Sequence, residues 1–334
     1  MKKIKKHLSI AFANIKVFFL VFLKKNKWEK TNVDFLWNRK FAEICGCYPL
    51  FFPYKIVSKK LFKIERTIID FFSYKQINKK LQTNNLVYVS LDSMNYFKNK
   101  IIKKINNNFI LITGDSDLVP SHHKELLDNK YLLHWFSQNC DIKNSKTSVL
   151  PIGLDYHTIA TYPHWGNKRI SPEEQEKELI EIRESAVKKE NKIFTNFHLN
   201  INSITRERLY KDLKGIDLFF FQEKPLSRIE TWKIQKKYNF VFSPAGVGMD
   251  CHRTWEALIL GCIPVVETSF LDDFYSGFPI VIIKTTADIT KDNLIKWFDK
   301  YKNSFDHDLE MKLKNNYWIE KIKNIQNNCI LSLE

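Results

Sequence analysis

The sequence predicts an α/β protein of two lobes, each with a parallel sheet, and three observations lead to this prediction. Apolar runs that end in polar residues alternate with segments of helical spacing, which is typical of parallel strands joined by helices. This alternation occurs twice, before and after a charged segment at 171–189. The length of 334 residues suits two domains of about 150 residues, each large enough to bury its own core.

Residues 1–28 form a separate basic and apolar unit. Residues 8–23 are largely apolar, but Asn14 and Lys16 interrupt them, so the run falls short of the roughly 20 residues that span a bilayer. Flanking lysines and the lack of a small-residue cleavage site disfavour a signal peptide. Three alternatives stay open for this unit: a helix lying on a membrane surface, a helix packed on the protein itself, and a short single-pass anchor of the Golgi type.

The net charge and the cysteine content limit which partners and which cellular compartment are expected. The chain has 53 basic and 37 acidic residues and a net charge of +16, which attracts polyanions, anionic membranes and phosphorylated substrates. Scattered lysines are equally typical of an ordinary solvated surface, and no basic stripe with aromatic residues indicates nucleic-acid binding. The six cysteines show no spacing of a zinc site, so we expect no metal and a reducing, cytoplasmic location.

The first strand series lies in a lobe predicted at 29–170. The runs "NLVYVSLD" (85–92) and "NFILITGDSD" (108–117) indicate buried parallel strands, and further apolar runs follow within 123–139 and 146–155. Because the carboxyl ends of parallel strands meet at one edge of a sheet, polar residues there are candidates for ligand binding. The sequence therefore predicts that four polar residues gather at this edge: Asp115, Asp117, Asn139 and Asp155.

A charged helix connects the two lobes. The connector at 171–190 begins with a serine N-cap, a proline in the first turn and acidic residues near the helix start. The second strand series occupies a lobe predicted at 191–300, with strands at 191–200, 216–222 and 278–284. Residues 301–334 are predicted to form C-terminal helices.

One segment of the second lobe combines the residue types of an anion site. Residues 242–266, "FSPAGVGMDCHRTWEALILGCIPVV", predict a strand end, a loop with Gly246 and Gly248, and a helix for which Asp250 is the expected N-cap. A glycine loop before a helix N-terminus binds phosphate because unpaired N–H groups and the helix dipole point at the ligand. Arg253 in the first turn is favourable beside a bound diphosphate.

Glu256 lies three residues after Arg253 and shares a helix face with it. The two residues therefore predict either phosphate binding by the arginine and sugar-hydroxyl binding by the glutamate, or a simple surface ion pair. The nicotinamide-dinucleotide fingerprint is absent because Cys251 stands where the third glycine belongs, and no P-loop lysine follows the glycines.

The same segment resembles the donor-binding segment of exostosin-like glycosyltransferases. The matching positions are Ser243, Pro244, Gly246, Arg253, Trp255, Glu256, Ala257, Leu258, Gly261, Cys262, Ile263, Pro264 and Val265. The resemblance implies the GT-B architecture, in which two Rossmann-like lobes face a central cleft. It further implies an inverting, metal-independent hexosyl- or pentosyltransferase with no cofactor, a nucleotide-sugar such as a UDP-sugar as co-substrate, and a glycan or glycoconjugate acceptor on the N-terminal lobe.

The resemblance and the residue chemistry together assign expected roles. The expected donor-binding residues are Ser243, Gly246, Gly248, Asp250, His252, Arg253, Glu256 and Arg206. Arg206 is equally well explained as a surface residue of its helix. Proton removal from the acceptor requires a base, for which Asp155 is the first candidate, followed by Asp117 and His157. Asp115 and Asn139 are expected on the acceptor side of the cleft.

Two alternatives of other classes remain at this point. Asp115, Ser116 and Asp117 match the metal-binding DxD pattern of a GT-A glycosyltransferase, which would depend strictly on a divalent metal. A catalytically inactive glycan-binding protein or a basic nucleic-acid-binding protein is the other alternative.

Overall fold

The computed structural model describes residues 30–49, 73–161, 168–199, 203–222 and 224–332. The basic and apolar unit predicted at 1–28 lies outside these residues. Within the described ranges, none of the helices has both the length and the apolar character needed to cross a membrane.

The N-terminal lobe contains a four-stranded sheet whose strands are all parallel. Its strands are β1 (Leu86–Ser90), β2 (Phe109–Gly114), β3 (Leu132–Ser137) and β4 (Thr147–Val149), in the spatial order β1-β2-β3-β4. Strands β1 and β2 are buried throughout, which explains why their sequences are continuous apolar runs. Helices α1 (Lys40–Glu43), α2 (Ile77–Thr83) and α3 (Met94–Tyr96) and the 3-10 segment Pro120–Asp128 belong to this lobe.

The C-terminal lobe contains a five-stranded sheet, also entirely parallel. Its strands are β5 (Glu190–Thr195), β6 (Phe219–Phe221), β7 (Tyr238–Phe242), β8 (Ile263–Glu267) and β9 (Val281–Ile283), in the order β6-β5-β7-β8-β9. The accompanying helices are α6 (Ser203–Leu213), α7 (Arg228–Gln235), α8 (His252–Ile259) and α9 (Asp272–Tyr275).

Helices also join the two lobes. Helix α4 (His157–Thr161) precedes the connector α5 (Pro172–Glu184), whose Ser171 forms the expected cap as part of a capping box with Glu174. Helices α10 (Lys291–Tyr301), α11 (His307–Lys312) and α12 (Asn315–Leu331) follow the second sheet. The Asn315 side chain bonds the backbone of Val33, Phe35 and Trp37, so the chain end returns to the N-terminal lobe.

A shared core holds the lobes together. One buried apolar cluster includes Tyr88 and Ile112 of the first sheet, Leu179 of the connector, and Trp255 of the second lobe. Two parallel α/β sheets thus face each other across a cleft and are joined by a connector and a returning C-terminal helix. The predicted α/β class with two Rossmann-like lobes that face a cleft is confirmed at the level of architecture. Trp255 and Leu258 are core residues, at 0% and 1% exposure.

Candidate functional site

A cavity of about 740 Å³ lies between the lobes. Most of its wall comes from segments that follow the carboxyl ends of β5, β6 and β7, where parallel sheets bind ligands. Asp117, Ile152 and Asp155 face it from the N-terminal lobe. Seven of the eight predicted donor-binding residues line its wall: Arg206, Gly246, Gly248, Asp250, His252, Arg253 and Glu256.

Arg253 has hydrogen-bond donors left for an anion. Its Nε donates to Asn196 Oδ1 at 3.0 Å, which fixes the side chain after β5. The two terminal amino groups have no hydrogen-bond partner within the described part of the chain. Burial lowers the pKa of the guanidinium, but an arginine remains charged at neutral pH. The half-buried cation therefore lacks a counter-charge in direct contact, which favours binding of an anionic group.

Glu256 is close to Arg253 without being paired to it. No hydrogen bond or ion pair within 4 Å engages its carboxylate among the described residues, although Glu256 acts electrostatically on the arginine. The alternative of a surface ion pair therefore does not describe these residues. Both side chains are half-buried on the cavity wall, where the carboxylate is able to accept hydrogen bonds from hydroxyl groups of a ligand.

The helix that carries both residues begins one position later than expected. Cys251, not Asp250, is the N-cap of α8, and no side chain caps this end. The Asp250 carboxylate instead accepts from Ile152 N at 2.7 Å, Trp255 Nε1 at 2.8 Å and Tyr275 Oη at 2.9 Å. The prediction that Asp250 caps α8 is thus wrong, because tertiary donors occupy its oxygens, although Asp250 does line the cavity.

Asp250 is a buried carboxylate that joins the lobes. It is 3% exposed, and burial raises its pKa to about 6 even though its three hydrogen bonds act in the opposite direction. Its bond to the Ile152 amide connects the glycine loop to the segment after β4. Asp250 therefore positions the start of α8.

Arg206 and Ser243 are buried residues that hold the glycine loop in place, and Arg206 also lines the cavity. Arg206 is 3% exposed and donates to the carbonyls of His198, Pro244 and Ala245, each at 3.1 Å. Burial, followed by the nearby Arg253, lowers its pKa to about 10. Ser243 Oγ lies 2.9 Å from Thr254 Oγ1 and is 2% exposed. Arg206 is therefore not a surface residue of its helix. Ser243 is buried and bonded to Thr254, so it positions the loop and does not contact a ligand.

Asp155 is not available as the catalytic base. Its carboxylate pairs with Arg228 Nη2 at 2.9 Å and with His157 Nδ1 at 2.9 Å. Burial acts to raise the pKa of Asp155, but His157 and Arg228 outweigh it and hold the pKa well below the usual value. A carboxylate so stabilised in its charged form is a weak base. This correction makes Asp155 a link between the lobes, since Arg228 begins α7.

His157 and Asn139 lie beside the cleft and are not part of the cavity wall. The His157 ring stacks on Trp37 at 6.5 Å between centroids, and burial lowers its pKa. Asn139 is fully buried, and its Oδ1 accepts from Asp250 N at 2.8 Å. A Cβ on Gly248 would lie 2.7 Å from Asn139 Nδ2, so Gly248 is needed for this close approach. The acceptor-side assignment of Asn139 is therefore wrong.

Asp115 and Asp117 differ despite their proximity in sequence. Asp115 forms an ion pair with Arg39, with Oδ1 2.9 Å from Nε, and does not line the cavity. Asp117 is exposed, lines the cavity, and its charge reaches Arg206. Since an arginine holds the first acid of the DxD pattern, this segment does not fit a metal site. The acceptor-side role predicted for Asp115 is contradicted by the same ion pair.

Two residues of the site escaped the sequence analysis. Asn196 orients Arg253, and Arg228 holds Asp155. Asn196 directly follows β5, so the rule that placed other polar residues at strand ends applies to it as well. Arg228 stands in the first turn of a helix, where a cation is disfavoured by the helix dipole and therefore indicates an anionic partner.

Comparison with known proteins yields structural likenesses only. No protein-family profile matches the sequence. No curated protein matches it either. A solved trehalose-6-phosphate synthase, OtsA, superposes with a TM-score of 0.40 and 9% identity over 81% of this chain and 78% of its own. A structure described as trehalose-6-phosphate from E. coli bound with UDP-2-fluoro glucose has a TM-score of 0.36 and 11% identity, over 80% of this chain and 78% of its own. An alpha,alpha-trehalose-phosphate synthase (UDP-forming) from Burkholderia vietnamiensis has a TM-score of 0.39 and 8% identity, over 84% of this chain and 80% of its own.

Proposed function

We propose that the protein is a glycosyltransferase that moves a sugar from a nucleotide-sugar to a glycan or glycoconjugate acceptor. One observation carries this proposal: Arg253 and Glu256 lie side by side at the start of α8 on the wall of the interlobe cavity. Within the described part of the chain, the terminal amino groups of Arg253 and the carboxylate of Glu256 have no hydrogen-bond partner. An arginine fork and a helix N-terminus together fit a diphosphate, and the carboxylate fits sugar hydroxyls.

The chemistry follows from the placement of these groups. Transfer requires stabilisation of negative charge on the departing nucleoside diphosphate, which Arg253 and the amides at the start of α8 supply. Arg206, which also lines the cavity, adds positive charge beside Arg253, since its guanidinium interacts with Arg253 and Asp117. The acceptor enters from the side of Asp117 and Ile152, which face the cavity from the other lobe.

The finer assignments also belong to this proposal. The match over 242–266 supports a donor site of the exostosin type and a UDP-sugar as the donor. Because arginines and a helix N-terminus provide the positive charge, the proposed reaction is metal-independent. Inversion at the anomeric carbon is expected from the same resemblance.

The test is thermal stabilisation of the purified chain by UDP, GDP and a panel of UDP-sugars in the presence of EDTA. A ligand at 100 times its Kd adds about 2.7 kcal/mol to the free energy of unfolding. We expect UDP or one UDP-sugar to stabilise the wild type, and Arg253→Ala and Glu256→Ala to abolish the effect. Lys323→Ala, on the exposed face of α12, is the matched control and should respond as the wild type does.

Other outcomes would separate the alternatives. Stabilisation that appears only after addition of Mn²⁺ would favour the metal-dependent DxD enzyme. A wild type that responds to no nucleotide or nucleotide-sugar, with or without Mn²⁺, would overturn the proposed function. Release of UDP in the presence of the best ligand would identify catalytic turnover and thereby exclude a pure binding protein.

A further inference from the structure

His252 has one ring nitrogen fixed by the protein and the other left for a ligand. It is the first residue of α8, is half-buried, and lines the interlobe cavity. Its Nδ1 lies 2.7 Å from the carbonyl oxygen of Gly153 in the other lobe. A carbonyl only accepts hydrogen bonds, so Nδ1 must carry the proton. In the uncharged form of the ring, the lone pair is therefore on Nε2.

The Nε2 atom has no hydrogen-bond partner among the residues that the structure describes. The acceptor carbonyl on the opposite side of the ring fixes the direction in which the lone pair points. The Gly153 backbone is tied to the N-terminal segment, because Gly153 forms a β-bridge with Trp37 and the next amide, Leu154 N, donates to Leu36 O at 2.7 Å. The imidazole is thus oriented by a hydrogen-bonded backbone segment of the other lobe.

Several charged and titratable groups surround this ring. The His157 ring lies 6.4 Å away between centroids in an edge-to-face arrangement. Asp155, whose charge interacts with His252, is neutralised by Arg228 and His157. Cys251 and Arg253 are its neighbours in sequence, and Glu256 lies one helical turn further along α8. None of these groups forms a hydrogen bond with Nε2.

The other candidates for a base are less suitable. Asp155 is held in its charged form by the Arg228 guanidinium and by its contact with His157. His157 does not line the cavity, and Asp117 is exposed to solvent with no neighbouring group that orients its carboxylate among the described residues. His252 combines a neutral nitrogen lone pair with a place next to Arg253, the residue that would hold the leaving diphosphate.

We propose that His252 is the general base of the reaction, taking the proton of the acceptor hydroxyl on Nε2. This inference depends on the proposed glycosyltransferase function. The acceptor O–H bond breaks toward Nε2, and the oxygen electron pair forms the bond to the anomeric carbon. The bond between that carbon and the phosphate oxygen breaks, and its electron pair leaves with the nucleoside diphosphate. The imidazolium then returns its proton to water.

Two substitutions separate this role from a purely structural one. In His252→Asn, the amide nitrogen takes the place of Nδ1 and keeps the bond to Gly153 O, but the nitrogen lone pair is lost. His252→Gln places its amide near the position of Nε2 and loses that bond. The measurement is UDP release from the UDP-sugar that stabilises the wild type most, with water as acceptor, as a function of pH.

We expect both variants to bind the UDP-sugar as judged by thermal stabilisation. Loss of a general base lowers kcat by about 10²-fold to 10⁴-fold, and the acid limb of the pH profile should disappear because no imidazole remains to be protonated. If His252→Asn instead keeps kcat within about threefold and retains the acid limb, the role of His252 is structural and the inference is overturned.

Asp117→Asn decides between the two remaining bases. We expect this variant to keep the acid limb of the wild type, whereas loss of that limb in Asp117→Asn and its retention in His252→Asn would assign the base to Asp117. Failure of the wild type to bind any nucleotide-sugar is a different result, since it overturns the proposed function itself. The binding and pH measurements therefore distinguish the two failures.

Discussion

Asp250 shows how one buried carboxylate determines the geometry of the candidate donor site. It accepts hydrogen bonds from a tryptophan, a tyrosine and a backbone amide of the other lobe, and no cation among the described residues contacts it. Burial raises its pKa from 3.8 to about 6. In the folded protein its proton is therefore bound more tightly than in the unfolded chain, so stability falls as pH rises between these two values.

Substitution of Asp250 by Asn gives a prediction at this scale. The amide has only one accepting oxygen, so a donor such as the Ile152 amide loses its acceptor, at a cost of about 1–3 kcal/mol near pH 4. Since the variant lacks the titrating group, the advantage of the wild type should shrink by roughly 2–3 kcal/mol between pH 4 and pH 7. Urea unfolding of both proteins across this range measures the difference. A difference that is constant with pH would contradict the raised pKa.

Single residues of the site were predictable where chain-local rules decide their role. Arg253 and Glu256 were found because a glycine loop and a helix start are visible in the sequence, and both line the cavity. Asp155 and Asn139 were misjudged because their partners, Arg228 and Asp250, are distant in sequence. Strand-end position identified the right edge of the sheet, but it does not reveal which polar groups are already occupied by the protein.

At the scale of elements, one buried lysine donates hydrogen bonds to the backbone carbonyls at the end of a helix. Lys236 is 6% exposed, and its Nζ donates to the carbonyls of Ile182 at 2.7 Å and Ser185 at 2.6 Å and to that of Arg183. These groups end the connector helix α5, whose last carbonyls lack partners within the helix. A cation at this end is also favoured by the helix dipole. Lys236 therefore joins the connector to the end of α7.

Lys236→Met should destabilise the protein through this contact. The substitution keeps the length and apolar part of the side chain but leaves three carbonyl groups without their charged donor. Hydrogen bonds to charged groups contribute about 1.5–3 kcal/mol each when lost from a buried site, so we expect a loss of at least about 2 kcal/mol in urea unfolding. Lys237→Met, at an exposed neighbouring position, is the control. Equal stability of the two variants would show that Lys236 contributes no more than a surface lysine.

The element pattern was largely predictable because most strands here are buried on both faces. Continuous apolar runs predicted β1 and β2, and the serine cap predicted the start of α5. The exception at the start of α8 has a tertiary cause. A local rule favours Asp250 as the N-cap, but Trp255 and Tyr275 compete for its oxygens and leave Cys251 at that position.

For the whole molecule, the relation between the lobes depends on buried polar contacts as well as on the shared core. Asp155 and Arg228 form an ion pair across the cleft in which both side chains are less than one-tenth exposed. A second pair, Lys143 with Asp273, also links the lobes but is largely exposed, at 76% and 82%. Exposed pairs contribute little because water screens them, whereas breaking a buried pair leaves an uncompensated charge. The two pairs therefore make a matched comparison.

A double-mutant cycle with Arg228→Met and Asp155→Asn tests the buried pair. Each single substitution leaves the partner charge buried, so we expect each to cost about 3 kcal/mol in the free energy of unfolding. The double variant should cost less than the sum by about 1–3 kcal/mol, because neither charge then remains alone. Lys143→Met should leave the unfolding midpoint unchanged.

The pKa of Asp155 is held below its unfolded value, so its stabilising contribution is present at neutral pH and is lost as pH falls below about 4. Additive costs at neutral pH, or a coupling that persists in strong acid, would show that this ion pair does not hold the lobes in register.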